Sequence, residues 1–360
     1  MDDRLNSMRP PADAIIAVTY RCNAHCLMCN VWKSRETDAL RPEHMRKLPP
    51  RLKTINLSGG EPFLRKDLPA FVAEARRQCP NARITISTNA YLPRRIAGMM
   101  NEIRRIDPAI RLAVSLDGIG AAHDRVRGDE GAFASVMELI DELTAGGFRG
   151  LRLSMTLFKD NLDQLLDVAG LARRRGLELG IVAAHVAETH LGLEQAPTDG
   201  MGADLKEPFQ RIITEWLRSW RPKQWLRAHF AYNTYRYLAG RRWRFRCRAG
   251  GDFFFLQADG TVYSCSVRGR PMGNILHQSW QEIWQGPRGQ QARDFVSQCP
   301  ESCWMICTAR SIYRGQAWGV IAWIVTHKLS AHRGLLRLPD PAGIPASHRK
   351  EELCGADSPH

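Results

Sequence analysis

The sequence predicts an α/β fold: six strand–helix units in succession build a parallel sheet curved as a partial (β/α)6 barrel of the TIM type, followed by a small hairpin-plus-helix extension. Three observations predict it. Short apolar runs recur along the first half of the chain. Segments with apolar residues at i, i+3 and i+4 separate them. The glycine-rich, polar and cysteine-bearing stretches fall directly after the runs, at the strand ends where barrels of this kind carry their functional loops.

Strands are expected over residues 14–19, 54–57, 83–87, 111–116, 151–157 and 178–184, and helices over 67–78, 93–105, 133–145 and 162–175. Cys22 follows the first strand, Gly59 the second, Thr88 and Asn89 the third, Asp117 the fourth and His185 the sixth. Residues 186–206 lack clear periodicity and read as a loop leading out of the barrel. The expected organisation is a tail over 1–12, a barrel core over 13–195, a basic and aromatic helical linker over 196–246, a cysteine-rich domain over 247–312, and an apolar helix with a polar tail over 313–360.

The chain of 360 residues has room for one large domain and a small extension. Its 44% hydrophobic and 24% charged content is that of a folded soluble protein. The opening MDDRLNSMRPP has no apolar signal-peptide core, so the expected location is cytoplasmic. In a reducing compartment the ten cysteines read as metal ligands rather than disulfides.

With 51 Lys+Arg against 37 Asp+Glu, the net charge of +14 favours an anionic partner: nucleic acid, anionic lipid or a phosphorylated substrate. Residues 219–248 hold nine Lys/Arg and no acidic residue, interleaved with Trp220, Trp225, Phe230, Tyr232, Tyr235, Tyr237, Trp243 and Phe245. Such a mixture stacks bases, sits at a lipid headgroup boundary, or forms an amphipathic helix with its aromatics in the core. The apolar stretch 317–325 is shorter than the roughly 20 residues that cross a bilayer. Trp318 and Trp323, beside Lys328 and Arg333, suit a core-docking helix or an interfacial one, which adds peripheral contact with a membrane surface to the expectations.

The chemistry begins at Cys22-Asn23-Ala24-His25-Cys26-Leu27-Met28-Cys29. Three thiolates hold three irons of a cubane cluster and leave the fourth iron without a protein ligand. A zinc knuckle or a ferredoxin also places cysteines close together, although zinc prefers two pairs. About thirty residues on, Asn56-Leu57-Ser58-Gly59-Gly60-Glu61-Pro62 closes the second strand. Together, CxxxCxxC after strand one and GGEP after strand two resemble the radical S-adenosylmethionine (radical SAM) superfamily over roughly residues 12–190. A third stretch, SLDGIGAAHDRVRG over 115–128, is similar to the SLDG…HDxxRG motif of radical SAM enzymes with a C-terminal SPASM or twitch extension. Read alone, Asp117-Gly118 is a turn and His123-Asp124 a helix cap.

The resemblance implies a SAM-binding 4Fe-4S cluster on Cys22, Cys26 and Cys29, whose open iron chelates S-adenosylmethionine. A flavodoxin- or ferredoxin-type reductant would supply the electron that cleaves it to a 5′-deoxyadenosyl radical. Gly59 and Gly60 would allow close backbone approach, and Glu61 would influence the cofactor's ammonium. Ser115 and Arg127 are implied contacts of the methionyl carboxylate or ribose, with Asn89 near the same ring. Met28 departs from the aromatic residue often found before the third cysteine.

A second cysteine group begins at Cys247 and runs through Gly260 to Cys265, with a hairpin turning at Asp259-Gly260. Cys299, Cys303 and Cys307 follow at helical spacing, which converges thiolates on one face. The arrangement resembles the twitch form of the SPASM extension and implies one auxiliary 4Fe-4S cluster, with a zinc site as the structural alternative. Five cysteines compete for four places. The expected set is Cys247, Cys265, Cys303 and Cys307, with Cys299 spare; Cys79 and Cys354 carry no expected role.

His185, Glu188 and His190, after strand six, are the candidate catalytic bases. Only about 12 residues precede strand one, which leaves no space there for a peptide-binding module. The expected function is therefore dehydrogenation or epimerisation of a sugar, phosphorylated or lipid-linked small molecule, the auxiliary cluster accepting the electron. The alternative is a radical SAM maturase of a peptide that it finds through a partner. An alternative of another class is a non-catalytic metal-binding protein that holds nucleic acid.

Overall fold

Alternation along the strands decides which way the sheet faces. In β5 (Leu151–Leu157), Leu151, Leu153, Met155 and Leu157 are buried, while Arg152, Ser154 and Thr156 are half-buried. One face thus packs under helices and the other lines a polar lumen. The computed structural model describes residues 10–35, 38–187, 203–240, 246–301 and 303–340.

Strands β1 (Asp13–Thr19), β2 (Thr54–Gly59), β3 (Arg83–Thr88), β4 (Arg111–Ser115), β5 and β6 (Glu178–Ala183) pair in sequence order, all parallel. Helices α1 (Leu68–Gln78), α2 (Pro93–Ile106), α4 (Ala132–Ala145) and α5 (Leu165–Arg174) cover the outer face, and the short α3 (Ala121–Arg127) follows β4. Their apolar stripes, Phe71 and Val72, Ile96 and Met100, Val136 and Leu139, Leu165 and Val168, join the strands' outer side chains in one core. The partial barrel expected from the sequence is the one observed, with strand and helix ends within a few residues.

The extension does not stand apart. Strand β7 (Phe253–Leu256) pairs parallel with β1, Asp13 opposite Phe253 and Ile16 opposite Leu256, and then hairpins antiparallel into β8 (Thr261–Tyr263) and β9 (Pro271–Asn274). The result is one nine-stranded sheet in the order β6-β5-β4-β3-β2-β1-β7-β8-β9. The open edge of β1 is thereby paired. Gly260 turns this hairpin with φ +87°, and a Cβ there would stand 2.5 Å from Leu276 Cγ.

The segment expected as a linker is not one. Helices α6 (Lys206–Arg218) and α7 (Pro222–Leu238) pack on each other and α7 on β6, and Phe209, Ile212, Ile213 and Leu217 enter the main core. Phe230 and Tyr235 of α7 are buried while Trp225, Tyr232 and Tyr237 are half-buried; His229, Asn233 and Thr234 are buried with them, and Lys223 and Arg227 pair with Glu178. Trp243 and Phe245 lie outside the described residues.

After α8 (Trp280–Gln285) and α9 (Pro287–Ser297), α10 (Ile306–Gly315) docks on the barrel: Arg314 pairs with buried Asp13 at 2.6 Å, and Ser311 bonds Asp252 at 2.5 Å. Helix α11 (Ala317–His332) buries Val320, Ile324 and Ala331 and exposes Trp318, Ile321, Val325 and Leu329. Among the described residues no helix is long and apolar enough to cross a membrane.

Candidate active site

The first cysteine loop is held from three sides. Asp38 closes the end of β1 by accepting from Thr19 Oγ1 (2.7 Å) and the Tyr20 amide (3.2 Å). The tail of α3 receives the loop, with the His25 amide donating to the Arg127 carbonyl (3.1 Å) and the Leu27 amide to Val126 (2.9 Å). Ala24, Cys26 and Met28 pack with Val126, Phe158 and Ala184 from the neighbouring strand ends. Cys22 and Cys29 are half-buried and Cys26 is buried.

Gly59 and Gly60 press β2 against the start of this loop. A Cβ on Gly59 would lie 2.1 Å from the Thr19 oxygen and one on Gly60 2.2 Å from the Arg21 oxygen, and Gly59 adopts φ +129°. The amides of Gly60 and Glu61 donate to those same two carbonyls at 2.8 Å. The glycine pair therefore sets the position of the cysteines directly.

Glu61 is buried and saturated. It accepts from the Phe63 amide (3.1 Å), Thr88 Oγ1 (3.0 Å) and the Asn89 amide (2.7 Å), so its carboxylate ties β2 to the end of β3. Burial pushes its pKa up to about 7, against the pull of those hydrogen bonds. Asn89 turns from that anchor toward the loop, donating to Asn23 Oδ1 at 2.8 Å with Cys22 Sγ 3.9 Å away.

Arg127 brings a positive charge to the thiols. Its Nη1 lies 3.6 Å from Cys26 Sγ and its Nη2 2.5 Å from Asp117, both side chains buried. Asp117 also accepts from the Thr156 amide at 2.7 Å. The third motif thus brings a buried ion pair to the cluster loop; the turn-only reading of Asp117-Gly118 missed the partner. The signal for it was the Arg ten residues on in the same motif. Tyr91, likewise unpredicted, donates its hydroxyl to the Arg127 carbonyl at 3.3 Å. Ser115 ends β4 half-buried, opposite Ser154 of β5 and on the lumen face.

His185 continues β6 beyond Ala184, which packs against the cluster loop. Its ring is buried and stacks on Tyr237 of α7, centroids 4.7 Å apart and 22° between planes. Nδ1 lies 2.8 Å from the Ala183 carbonyl, an acceptor only, so Nδ1 carries the proton and Nε2 keeps a free lone pair. Nε2 is buried without a hydrogen-bond partner among the described residues. Burial holds the pKa down at about 4, so the ring is neutral at pH 7. Glu188 and His190 lie outside the described residues.

The second cysteine group surrounds an apolar pocket. Cys247, Cys265, Cys299 and Cys303 line it together with Ala249, Phe253, Val267, Val296 and Met305. Cys307 lies behind, buried against Ala249, Phe253 and Val296. Cys299, which the sequence expectation set aside, lies before α10 and lines the pocket, and Cys307, within that helix, is buried in a cluster against which Cys247 and Cys265 pack. Burial pushes the thiols of Cys247 and Cys307 up to about 12, and their neighbours' negative charge adds to it. Burial, with the charges of Cys303 and Glu301 adding to it, raises the hydroxyl pKa of Tyr237, which stacks on His185.

Comparison with known families decides the identity. The radical SAM superfamily model matches residues 16–172, and the SPASM iron–sulfur cluster-binding domain matches residues 247–308. The chain is a radical SAM enzyme with a SPASM domain. It is 28% identical over 300 residues to the AdoMet-dependent heme synthase of Methanosarcina barkeri, covering 74% of this chain and 80% of that one. It is 26% identical over 289 residues to the mycofactocin maturase MftC of Mycolicibacterium smegmatis, covering 74% and 68%. Among solved structures, Streptococcus suis SuiB bound to S-adenosylmethionine shares the fold at TM-score 0.59 and 14% identity, covering 79% and 68%.

The enzyme accordingly uses a 4Fe-4S cluster, S-adenosylmethionine and an auxiliary 4Fe-4S cluster. The residues present fit them. Thiols whose pKa burial raises are poor nucleophiles, but iron displaces the proton and supplies the missing counter-charge. On the first loop burial raises Cys22 to about 11, and Arg127 offers a compensating cation to Cys26. The match across both cysteine groups sets aside the non-catalytic nucleic-acid reading.

Proposed function

We propose that this radical SAM enzyme is a maturase that oxidises a peptide or protein substrate. One observation carries the reading: the match to mycofactocin maturase MftC runs across about three quarters of the chain, barrel and SPASM domain included. SuiB, which shares the fold, has been solved bound to its precursor peptide SuiA. Both favour a peptide over the sugar or lipid-linked substrate expected from the sequence. The likeness to heme synthase supports a small-molecule substrate as the second reading. The net charge of +14 suits an acidic peptide.

Cys22, Cys26 and Cys29 would hold the SAM-binding cluster, which with bound S-adenosylmethionine supplies the hydrogen-abstracting radical. Cys247, Cys265, Cys299 and Cys303, grouped around one pocket, would hold the auxiliary cluster. The chain's own residues do the rest. Arg127 stabilises negative charge at Cys26, and Asp117 keeps that guanidinium oriented. Glu61 and Asn89 fix the β3 end against Cys22. His185, neutral with its Nε2 lone pair free, accepts the proton from the substrate atom next to the carbon that has lost its hydrogen atom, and the electron left on the substrate would pass to the auxiliary cluster held by the second cysteine group. Its stacking on Tyr237 holds the ring in that orientation.

The test is anaerobic reconstitution, an iron count, and 5′-deoxyadenosine release with S-adenosylmethionine and dithionite, alone and with short peptides encoded beside the gene. About eight irons per chain and a peptide that leaves two hydrogens lighter support the reading. Deoxyadenosine release that a sugar phosphate or a tetrapyrrole stimulates and no neighbouring peptide does would overturn it.

A further inference from the structure

Three arginines at the end of the barrel opposite the cysteine loop make no side-chain hydrogen bond or ion pair among the described residues, although the charge of Glu178 is felt at Arg152. Arg83 opens β3, Arg111 opens β4 and Arg152 is the second residue of β5. The register sets Thr85 beside Arg111 and Ala113 beside Arg152. Side chains two apart, or paired across strands, share a face. All three arginines therefore stand on the lumen side, while Ile84, Leu112 and Leu153 pack outward under the helices. Among the described residues none of the three side chains has a hydrogen bond or ion pair, and Arg152 Nε is buried with none.

The two neighbouring carboxylates are already committed. Glu178, beside Arg152 in the register, bonds Lys223 and Arg227, and Asp13 pairs with Arg314. Arg310, reaching in from α10, bonds Thr54 Oγ1 at 2.9 Å and stands 3.8 Å from an Asp13 oxygen. Burial and the charges of Arg310, Arg227 and Arg111 depress Arg152 to about 10. Arg152, held away from water beside these like charges with its Nε unused, raises the free energy of the folded chain. An anion delivered there would remove both penalties.

We propose that this floor is a binding site for a phosphoryl group, gripped by Arg111 and Arg152 with Arg83 and Arg310 around it. The charge selects the ligand class. A carboxylate brings one negative charge, whereas a phosphoryl group brings nearly two with three acceptor oxygens, and guanidinium forks fit those oxygens in pairs. Strands of five to seven residues at about 3.3 Å per residue separate the floor from the cysteine loop by roughly 16–23 Å. The site is therefore distinct from the radical centre, and the proposal does not rest on the peptide reading.

The experiment titrates inorganic phosphate, glycerol 3-phosphate and acetate into the reconstituted protein at constant ionic strength, by calorimetry and by the thermal midpoint, with R152M and R111M alongside. Phosphate is expected to bind and raise the midpoint while acetate does neither. R152M and R111M each weaken phosphate binding about tenfold or more, and R152M without phosphate melts above the parent because a buried like charge has gone. Binding of phosphate alone assigns the site to the free ion; binding of glycerol 3-phosphate as well assigns it to a phosphorylated molecule. Equal responses to phosphate and acetate, or phosphate binding unchanged in both variants, overturn the proposal.

Discussion

Replacing Arg127 with Met tests the central electrostatic claim about the site. Asp117 is fully buried, and one of its oxygens has only the Arg127 guanidinium, 2.5 Å away, while the other keeps the Thr156 amide at 2.7 Å. Desolvation already holds the Asp117 pKa above the usual carboxylate value, with Arg127 pulling it back. Removing one partner of a buried pair costs about 3–5 kcal/mol, because the other charge is left in a low-dielectric setting. With a urea dependence of about 3 kcal/mol per molar, the unfolding midpoint should fall by roughly 1–1.7 M. The double variant D117N/R127M should recover more than half of that loss, since neither charge then remains. Anaerobic urea unfolding followed by far-UV circular dichroism measures both. A single-variant midpoint within about 0.2 M of the parent, or a double variant no better than the single, would refute the argument that these two side chains act as a buried pair.

Three further predictions follow from the geometry. G60A places a Cβ 2.2 Å from the Arg21 oxygen, so iron bound after reconstitution should fall well below the parent's, and parent-level iron in folded G60A would contradict the clamp. His123 is buried, accepts at Nδ1 from the Asp117 amide (3.0 Å), and has its pKa held at about 3 by burial. A folded pKa below the unfolded 6.5 means its contribution is present above pH 6.5 and is lost as the pH falls toward 3. Between pH 7 and pH 5 the parent should therefore lose about 2 kcal/mol more than H123N, read from urea midpoints at the two pH values. H185Q should keep its iron and its cleavage of S-adenosylmethionine yet form product at least about a hundredfold more slowly, and parent-like product formation would remove His185 as the base.

Much of the fold was legible because it is local. Apolar periodicity placed the six barrel strands and their helices, since burial on one face imposes that spacing wherever the chain packs. The cysteine spacings and GGEP were legible for the same reason: a cluster, and the glycines that press β2 against its loop, need neighbouring residues at short range. The basic and aromatic stretch 219–248 was legible only in part. Its composition allowed an amphipathic helix, but the packing of α7 on β6 decided which aromatics are buried, with Phe230 and Tyr235 inside and Trp220 exposed.

The sequence by itself determined the strand ends, the three-cysteine loop and the class of chemistry, through interactions spanning a few residues. Only the tertiary structure decided which distant groups meet. It paired β7 with β1, brought Cys299 to the auxiliary pocket, joined Asp117 to Arg127 beside Cys26, stacked His185 on Tyr237, and gathered arginines on one lumen floor. Those meetings depend on register and on which helix face packs inward, quantities set by the summed burial of the whole core rather than by any local run of residues.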